Sequence, residues 1–308
     1  MKIAVMAAGA VGGYFGARLA ADGHDVFFIA RGAHRDAIRR NGLKIESVHG
    51  DLLVPKPNVT DDPNTVGPVD VVLFAVKLWD TETAAALTKP MAGPQTRIIT
   101  VQNGIDSVGR LAPILGADRV VGGVAYIATT IAAPGVIRHT SQFATLHYGH
   151  ADKRADAVLD AFTAAGKKAK CDVDISKDIN VELWQKFVFL TALAGATASR
   201  RAAIGPIVAT GDGRAFFRAL MDEARAVGKA SGVDVGDAFV EQRMDFVLNK
   251  VEPGMKASMA HDLEKGYRLE LDWLNGKVAE LGDKYGIDTP ASDDVVAKLR
   301  DFRLGKAA

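Results

Sequence analysis

The sequence predicts two domains of different class: an α/β domain with a mostly parallel sheet over residues 1–174, and an all-α domain over residues 175–308. Three observations lead there. Through the first half, short runs of β-branched and aliphatic residues alternate with helical patterns, as in a parallel sheet covered on both faces. A glycine-patterned turn joins the first of these runs to the first helix. After KCDVDIS the strand signals stop, and long helical patterns broken by glycine and proline take over.

Taken in order, KIAVMA reads as a strand and 11–22 as the helix after it. DVFFIA is a second strand, followed by AHRDAIRRNG as a helix or turn. VDVVLFAV at 69–76 is a third, buried strand, and TETAAALTKPM is helical. TRIITVQ at 96–102 is a fourth strand, with RVVGGVAYI, GVIRHT and FATLHYG as further strands. ADKRADAVLDAFTAAG is an amphipathic helix. In the second half helices are expected over 180–199, 212–231, 236–250, 270–285 and 291–302. Gly205-Pro206, Gly232, Pro253-Gly254, Gly266 and Pro290 punctuate them.

Lys and Arg number 38 against 37 Asp and Glu, a formal net charge of +1, so bulk charge draws the chain toward neither nucleic acid nor an anionic membrane. Any anion recognition must be local. The single cysteine, Cys171, rules out an intramolecular disulfide or a multi-cysteine zinc site and fits a reducing cytoplasm. The apolar stretch 3–10 runs straight into a glycine turn, unlike a secretory signal. The longest uncharged apolar stretch, 187–199, falls short of the ~18 residues a membrane helix needs. The histidines are scattered without i, i+4 pairing or an acidic cluster, so no metal site is expected.

The turn Ala7-Ala8-Gly9-Ala10-Val11-Gly12 follows a strand and opens a helix. It is the Rossmann dinucleotide fingerprint with its first glycine replaced by Ala7, which is acceptable if the backbone there keeps a negative φ. Gly9 lets the backbone approach a pyrophosphate, Gly12 lets the helix pack on the strand, and the helix N-terminus supplies free N–H groups. The alternative is a glycine turn without a ligand; the strand–turn–helix context and a second strand on schedule favour the nucleotide. That second strand ends in Ile29-Ala30-Arg31 with no carboxylate to hold a ribose 2′-hydroxyl. Arg31 stands where a guanidinium would take a 2′-phosphate, so NADP is the expected cofactor; the alternative is a surface arginine starting a loop. Arg35, Arg39 and Arg40 read as a solvated helix face. The third and fourth strands end in Lys77 and Asn103, beyond the carboxyl edge where ligands of open α/β sheets bind.

The glycine turn, the FFIARG strand end, FAVK at 74–77 and QNG at 102–104 together resemble the ketopantoate reductase (2-dehydropantoate 2-reductase) family. WQKF at 184–187 is similar to that family's lysine-bearing helix, and SMAHDLEKGYRLELDWLNG at 258–276 to its Ser…Asp…Gly…Glu…Asn-Gly stretch. The resemblance covers nearly the whole chain. It implies a Rossmann-type N-terminal domain and reduction of ketopantoate to pantoate, a step toward pantothenate, with NADPH as hydride source and a small keto acid as partner. Lys186 would be the general acid. Glu270 would position substrate, lysine or ribose, and Ser258 would lie near the substrate carboxylate. Lys77 and Asn103 would line the cofactor and substrate side of the cleft. A homodimer is left open.

The chemistry stands beside the resemblance. Hydride addition to a ketone develops an alkoxide that needs a proton donor, and partial burial would lower a lysine toward a useful range. Lys186 lies within the otherwise apolar WQKFVFLTALAG, an unusual place for a charge; a lysine snorkelling from a helix boundary is the alternative. Gly266 is expected to break the chain between Ser258 and Glu270, with Glu270 starting a new helix. The plain alternatives are Ser258 as an N-cap and Glu270 as a first-turn carboxylate. One departure stands out: the family commonly carries asparagines one and two turns beyond the lysine, where this chain has Leu190 and Ala194. A related reductase of a more apolar keto acid or ketone is therefore the first rival. A non-catalytic NADP-binding sensor is the second, and it would have no use for Lys186 and Glu270 together.

Overall fold

The computed structural model describes residues 1–306 and divides into two compact units, one of residues 1–179 and one from Asn180 onward. The first unit runs β1 (Lys2–Met6), α1 (Ala10–Ala21), β2 (Asp25–Ile29), α2 (Gly32–Asn41), β3 (Leu43–Ser47), β4 (Leu52–Val54), β5 (Asn58–Thr60), β6 (Val71–Phe74), α3 (Thr81–Thr88), β7 (Arg97–Thr100), α4 (Ser107–Leu115), β8 (Val120–Ala133), β9 (Val136–Gly149), α5 (Ala157–Lys168) and β10 (Asp172–Ile175). Its sheet has the order β4-β3-β9-β8-β7-β6-β1-β2-β5, with β10 also on β9. All pairs are parallel except β3–β4 and β8–β9.

The central strands are apolar throughout because both faces are covered. Ile3, Val5, Leu73 and Ile99 join Phe15 of α1 and Phe162 of α5 in one core. Ala4, Met6, Val72 and Ile98, one residue out of phase, join Ala84 of α3 and Leu111 of α4 in the other. The chain leaves β1 for β2 on one side and later crosses to β6 on the other, so the order reverses beside β1. The loops at that switch point are where such sheets take ligands.

Several elements differ from the sequence expectation. β3, β4 and β5 are short and were not anticipated; Lys44, Glu46 and Asn58 interrupt their apolar pattern. GVIRHT and FATLHYG fuse into the single strand β9, which forms a long bulged hairpin with β8. Gly109 and Pro113 concealed α4. The expected boundary at 174/175 lies inside β10, whereas the compact units part at 179/180.

The second unit is helical: α6 (Ile179–Ser199, its first residue in the first unit), α7 (Ile204–Val208), α8 (Gly211–Ala230), α9 (Phe239–Asn249), α10 (Ser258–Lys265), α11 (Asn275–Tyr285) and α12 (Pro290–Leu299). Helix α6 is buried on every side from Thr191 to Ala198, as expected of a helix apolar all round. The hydroxyls of its buried threonines are satisfied within the helix: Thr191 Oγ1 donates to Phe187 O (2.9 Å) and Thr197 Oγ1 to Leu193 O (2.7 Å). The buried carboxylate of Glu223 on α8 accepts from Ala291 N (2.7 Å), Ser292 N (2.9 Å) and Ser292 Oγ (2.7 Å), anchoring the start of α12. Among the described residues no helix is long and apolar enough to cross a membrane.

Candidate active site

In the first unit the fingerprint turn lies between β1 and α1. Ala7 keeps a negative φ, which removes the need for glycine there. Gly9 is the N-cap residue of α1, and no side chain caps that helix end. A Cβ on Gly9 would meet nothing within 4 Å, so the turn presents open backbone to incoming ligand. Gly12 is the opposite case. A Cβ there would lie 2.7 Å from Ala7 O and 2.8 Å from Val5 Cγ1, so α1 sits on β1 at a distance only glycine allows. The first turn of α1 carries no acidic residue. Uncapped N–H groups, an open Gly9 and no negative charge form a fit for a pyrophosphate.

Two side chains tie down the loops at this edge of the sheet. His34 of α2 donates from Nε2 to Ala8 O (3.0 Å), while Gly135 N donates to its Nδ1 (3.1 Å). That pair of bonds fixes the neutral Nε2–H tautomer, and burial lowers the proton affinity of His34 further, against the Ala8 hydrogen bond. Buried Gln102 donates from Nε2 to Val76 O (3.1 Å) and Thr81 Oγ1 (2.9 Å), tying the end of β7 to the loop after β6.

Arg31 follows β2 as the exposed N-cap residue of α2; its carbonyl accepts from Arg35 N (3.3 Å), and its guanidinium makes no ion pair or hydrogen bond among the described residues. Arg35 was expected on a solvated face. It is instead held by Asp36 (Nη2 to Oδ1, 2.7 Å) and by Asp61 beyond β5, a strand the sequence reading lacked; Arg39 and Arg40 are exposed. Lys77 follows β6 and is exposed, its Nζ 5.5 Å from the centre of the Trp79 ring. Asn103 is half-buried after β7. Arg31, the glycine turn, Lys77 and Asn103 therefore follow four neighbouring strands, β2-β1-β6-β7, across three strand spacings or about 14 Å.

In the second unit Lys186 lies in α6 and Glu270 precedes α11. Lys186 is half-buried, and burial pulls its ammonium down to about 8, with the Glu270 carboxylate opposing the shift. Glu270 is itself buried, at 5% exposure. It does not start a helix: it precedes a single 3-10 turn over Leu271–Trp273, and α11 begins only at Asn275. Gly266 ends α10 in the left-handed conformation, as its position suggested. Ser258 is the first residue of α10 and is exposed, but Ala257 is the N-cap residue, so Ser258 is not the cap. Leu190 is half-buried and Ala194 fully buried. Burial pushes the Cys171 thiol up to about 12, which makes it a poor nucleophile. Among the described residues no three potential ligands gather to hold a metal ion.

Comparison with known proteins bears on what this arrangement serves. A family model described as ketopantoate reductase PanE/ApbA matches residues 3–153, and its C-terminal counterpart matches residues 178–302. The chain belongs to the ketopantoate reductase family. It is an oxidoreductase of that family, and its curled, mostly parallel sheet with a helical second part is the family's fold. A 2-dehydropantoate 2-reductase of Mesorhizobium japonicum is 33% identical, with 97% of each chain covered. An uncharacterised oxidoreductase of Bacillus subtilis, YkpB, is 30% identical over 99% of this chain and all of the other. The crystal structure of a PanE/ApbA family ketopantoate reductase from Ralstonia eutropha superposes with a TM-score of 0.89 at 32% identity, covering 98% of both chains.

Proposed function

We propose that this chain reduces a 2-keto acid at the expense of NADPH, with ketopantoate as substrate and pantoate as product. The observation that carries the reading is Lys186: a lysine in an apolar helix, held near 8 by burial and faced by a buried carboxylate. The nucleotide, when bound, supplies hydride to the carbonyl carbon. The fingerprint residues Ala7 to Gly12 would hold its pyrophosphate, and Arg31, exposed and unpaired, a 2′-phosphate.

What the protein adds is a proton and an orientation. As negative charge develops on the substrate oxygen, Lys186 Nζ donates its proton and is left neutral. Burial has already weakened that N–H bond, so the transfer runs downhill more steeply than from an ordinary lysine. Glu270 keeps Lys186 protonated near neutral pH, since without it burial alone would carry the amine lower. Ser258, Lys77 and Asn103 are assigned to the substrate carboxylate and the nicotinamide side. The test is NADPH oxidation with ketopantoate, pyruvate, 2-ketoisovalerate and a bulkier apolar keto acid. Turnover fastest with ketopantoate supports the assignment; binding of NADPH with no turnover of any acid removes it.

A second reading rests on Leu190. It stands one turn beyond Lys186 on the same helix, where an apolar side chain favours an apolar substrate tail over a hydroxyl. Leu190→Asn then separates the two readings, by improving ketopantoate turnover only if ketopantoate is not the native substrate.

A further inference from the structure

Asn275 is fully buried, and neither amide atom has a hydrogen-bond partner among the described residues. Its amide is seated on the bare backbone of Gly195 in α6. A Cβ at Gly195 would lie 2.7 Å from Nδ2, 2.9 Å from Oδ1 and 3.1 Å from Cγ of Asn275. A buried amide left unpaired is costly, and an apolar side chain of similar volume would avoid that cost. The side chain is also thin and planar, which allows a close approach that a branched one would not.

The two partners are joined rigidly to the two residues of the proposed proton-donating pair. From Gly195 the unbroken helix α6 leads back nine residues to Lys186, about 13 Å away along the axis. From Asn275 the chain leads back five residues to Glu270 through a hydrogen-bonded turn. Trp273 N donates to Glu270 O (3.1 Å), Leu274 N to Leu271 O (3.2 Å) and Lys277 N to Leu274 O (3.0 Å). Leu269, Leu271 and Leu274 are buried around it, and Leu269 N is held by Arg303 O (2.9 Å). Such a turn has little room to absorb a displacement at one end without passing it to the other.

We propose that the close approach of Asn275 to Gly195 is the register point that sets Glu270 against Lys186. Asn275 and Gly195 are positioning residues: they touch no reacting atom and act through the spacing of that pair. The proposal rests on the reading of Lys186 and Glu270 as a functional pair.

The test follows the Lys186 ammonium directly, by NMR titration of lysine-labelled enzyme, in parallel with kcat and the KM for NADPH. Gly195→Ala places a methyl group on the Asn275 amide and drives the start of α11 away. Glu270 then supports the Lys186 charge less, and its titration midpoint falls by roughly half a unit or more. We expect kcat to drop about two-fold or more at pH 8, with the KM for NADPH unchanged. Asn275→Ala, which opens space without adding bulk, shifts the midpoint in the same direction and carries the test should Gly195→Ala fail to fold. In the double variant the alanine methyl fills the space left by the amide, and the midpoint returns toward the wild-type value. A midpoint unmoved in the single variants, whatever happens to Tm, overturns the proposal, as does a shift that the double variant leaves in place. If the midpoint moves and is restored while kcat stays constant throughout, the register point stands and the role of Lys186 as proton donor falls.

Discussion

Replacing Glu270 by glutamine removes one charge and almost no volume, so it isolates what that carboxylate does for Lys186. Burial holds the Lys186 ammonium near 8 instead of the usual 10.5, about 3 kcal/mol against the charged form. Burial is the larger influence, and Glu270 offsets part of it. A facing charge within a few ångströms is worth roughly one to three units, so Glu270→Gln should carry Lys186 down by about one unit or more. Lys186 donates only while protonated, so the reductive rate is full below its midpoint and falls as pH rises through it. With a midpoint near 8 about half the enzyme is competent at pH 8; at about 7, only about a tenth is. The variant should therefore lose about five-fold at pH 8 from protonation alone, and only about two-fold at pH 7. The assay is kcat against pH in the direction of NADPH oxidation. An alkaline limb that stays in place in Glu270→Gln would refute the electrostatic coupling, however much the absolute rate falls.

Three further outcomes follow from the first unit. Gly9→Ala should leave Tm unchanged while weakening nucleotide binding, because its methyl group enters open space at the turn; Gly12→Ala should lower Tm, because its methyl group meets Ala7 O and Val5. Thermal melts and nucleotide titrations of both variants check the contrast, and similar behaviour in the two would contradict it. Arg31→Ala should weaken NADPH far more than NADH, and equal weakening removes the 2′-phosphate role. His34 and His139 are held neutral by burial, so their native midpoints lie below the unfolded value of about 6.5. Their contribution to stability is complete above that value and is lost as pH falls through the native midpoints, because the unfolded chain takes up protons first. Denaturant midpoints should fall below about pH 6.5, and His34→Gln should flatten part of that fall.

Features whose cause is local were legible in the sequence. The fingerprint turn was readable because its spacing reflects backbone geometry over six residues, and Lys186 because a charge interrupts an apolar helix. The burial of β6 and β7 followed from uninterrupted aliphatic runs. What escaped depends on partners distant along the chain. His34 reveals its role only against Ala8 and Gly135, Glu223 only against Ala291 and Ser292, and Asn275 only against Gly195. Arg35 looked solvated because Asp61, its partner, follows a three-residue strand too short to register as a pattern. Glu270 was placed at a helix start because an acidic residue before a helical pattern commonly sits there. The 3-10 turn that carries it is held by backbone bonds that the side-chain pattern does not encode.

The measurement that bears most directly on the account is kcat of Lys186→Ala beside the wild-type enzyme, with NADPH affinity measured on both proteins. Loss of about 100-fold or more in turnover at unchanged NADPH affinity is the expected result for a side chain that supplies the proton. Turnover within a few-fold of wild type would contradict it and move the proton donor elsewhere.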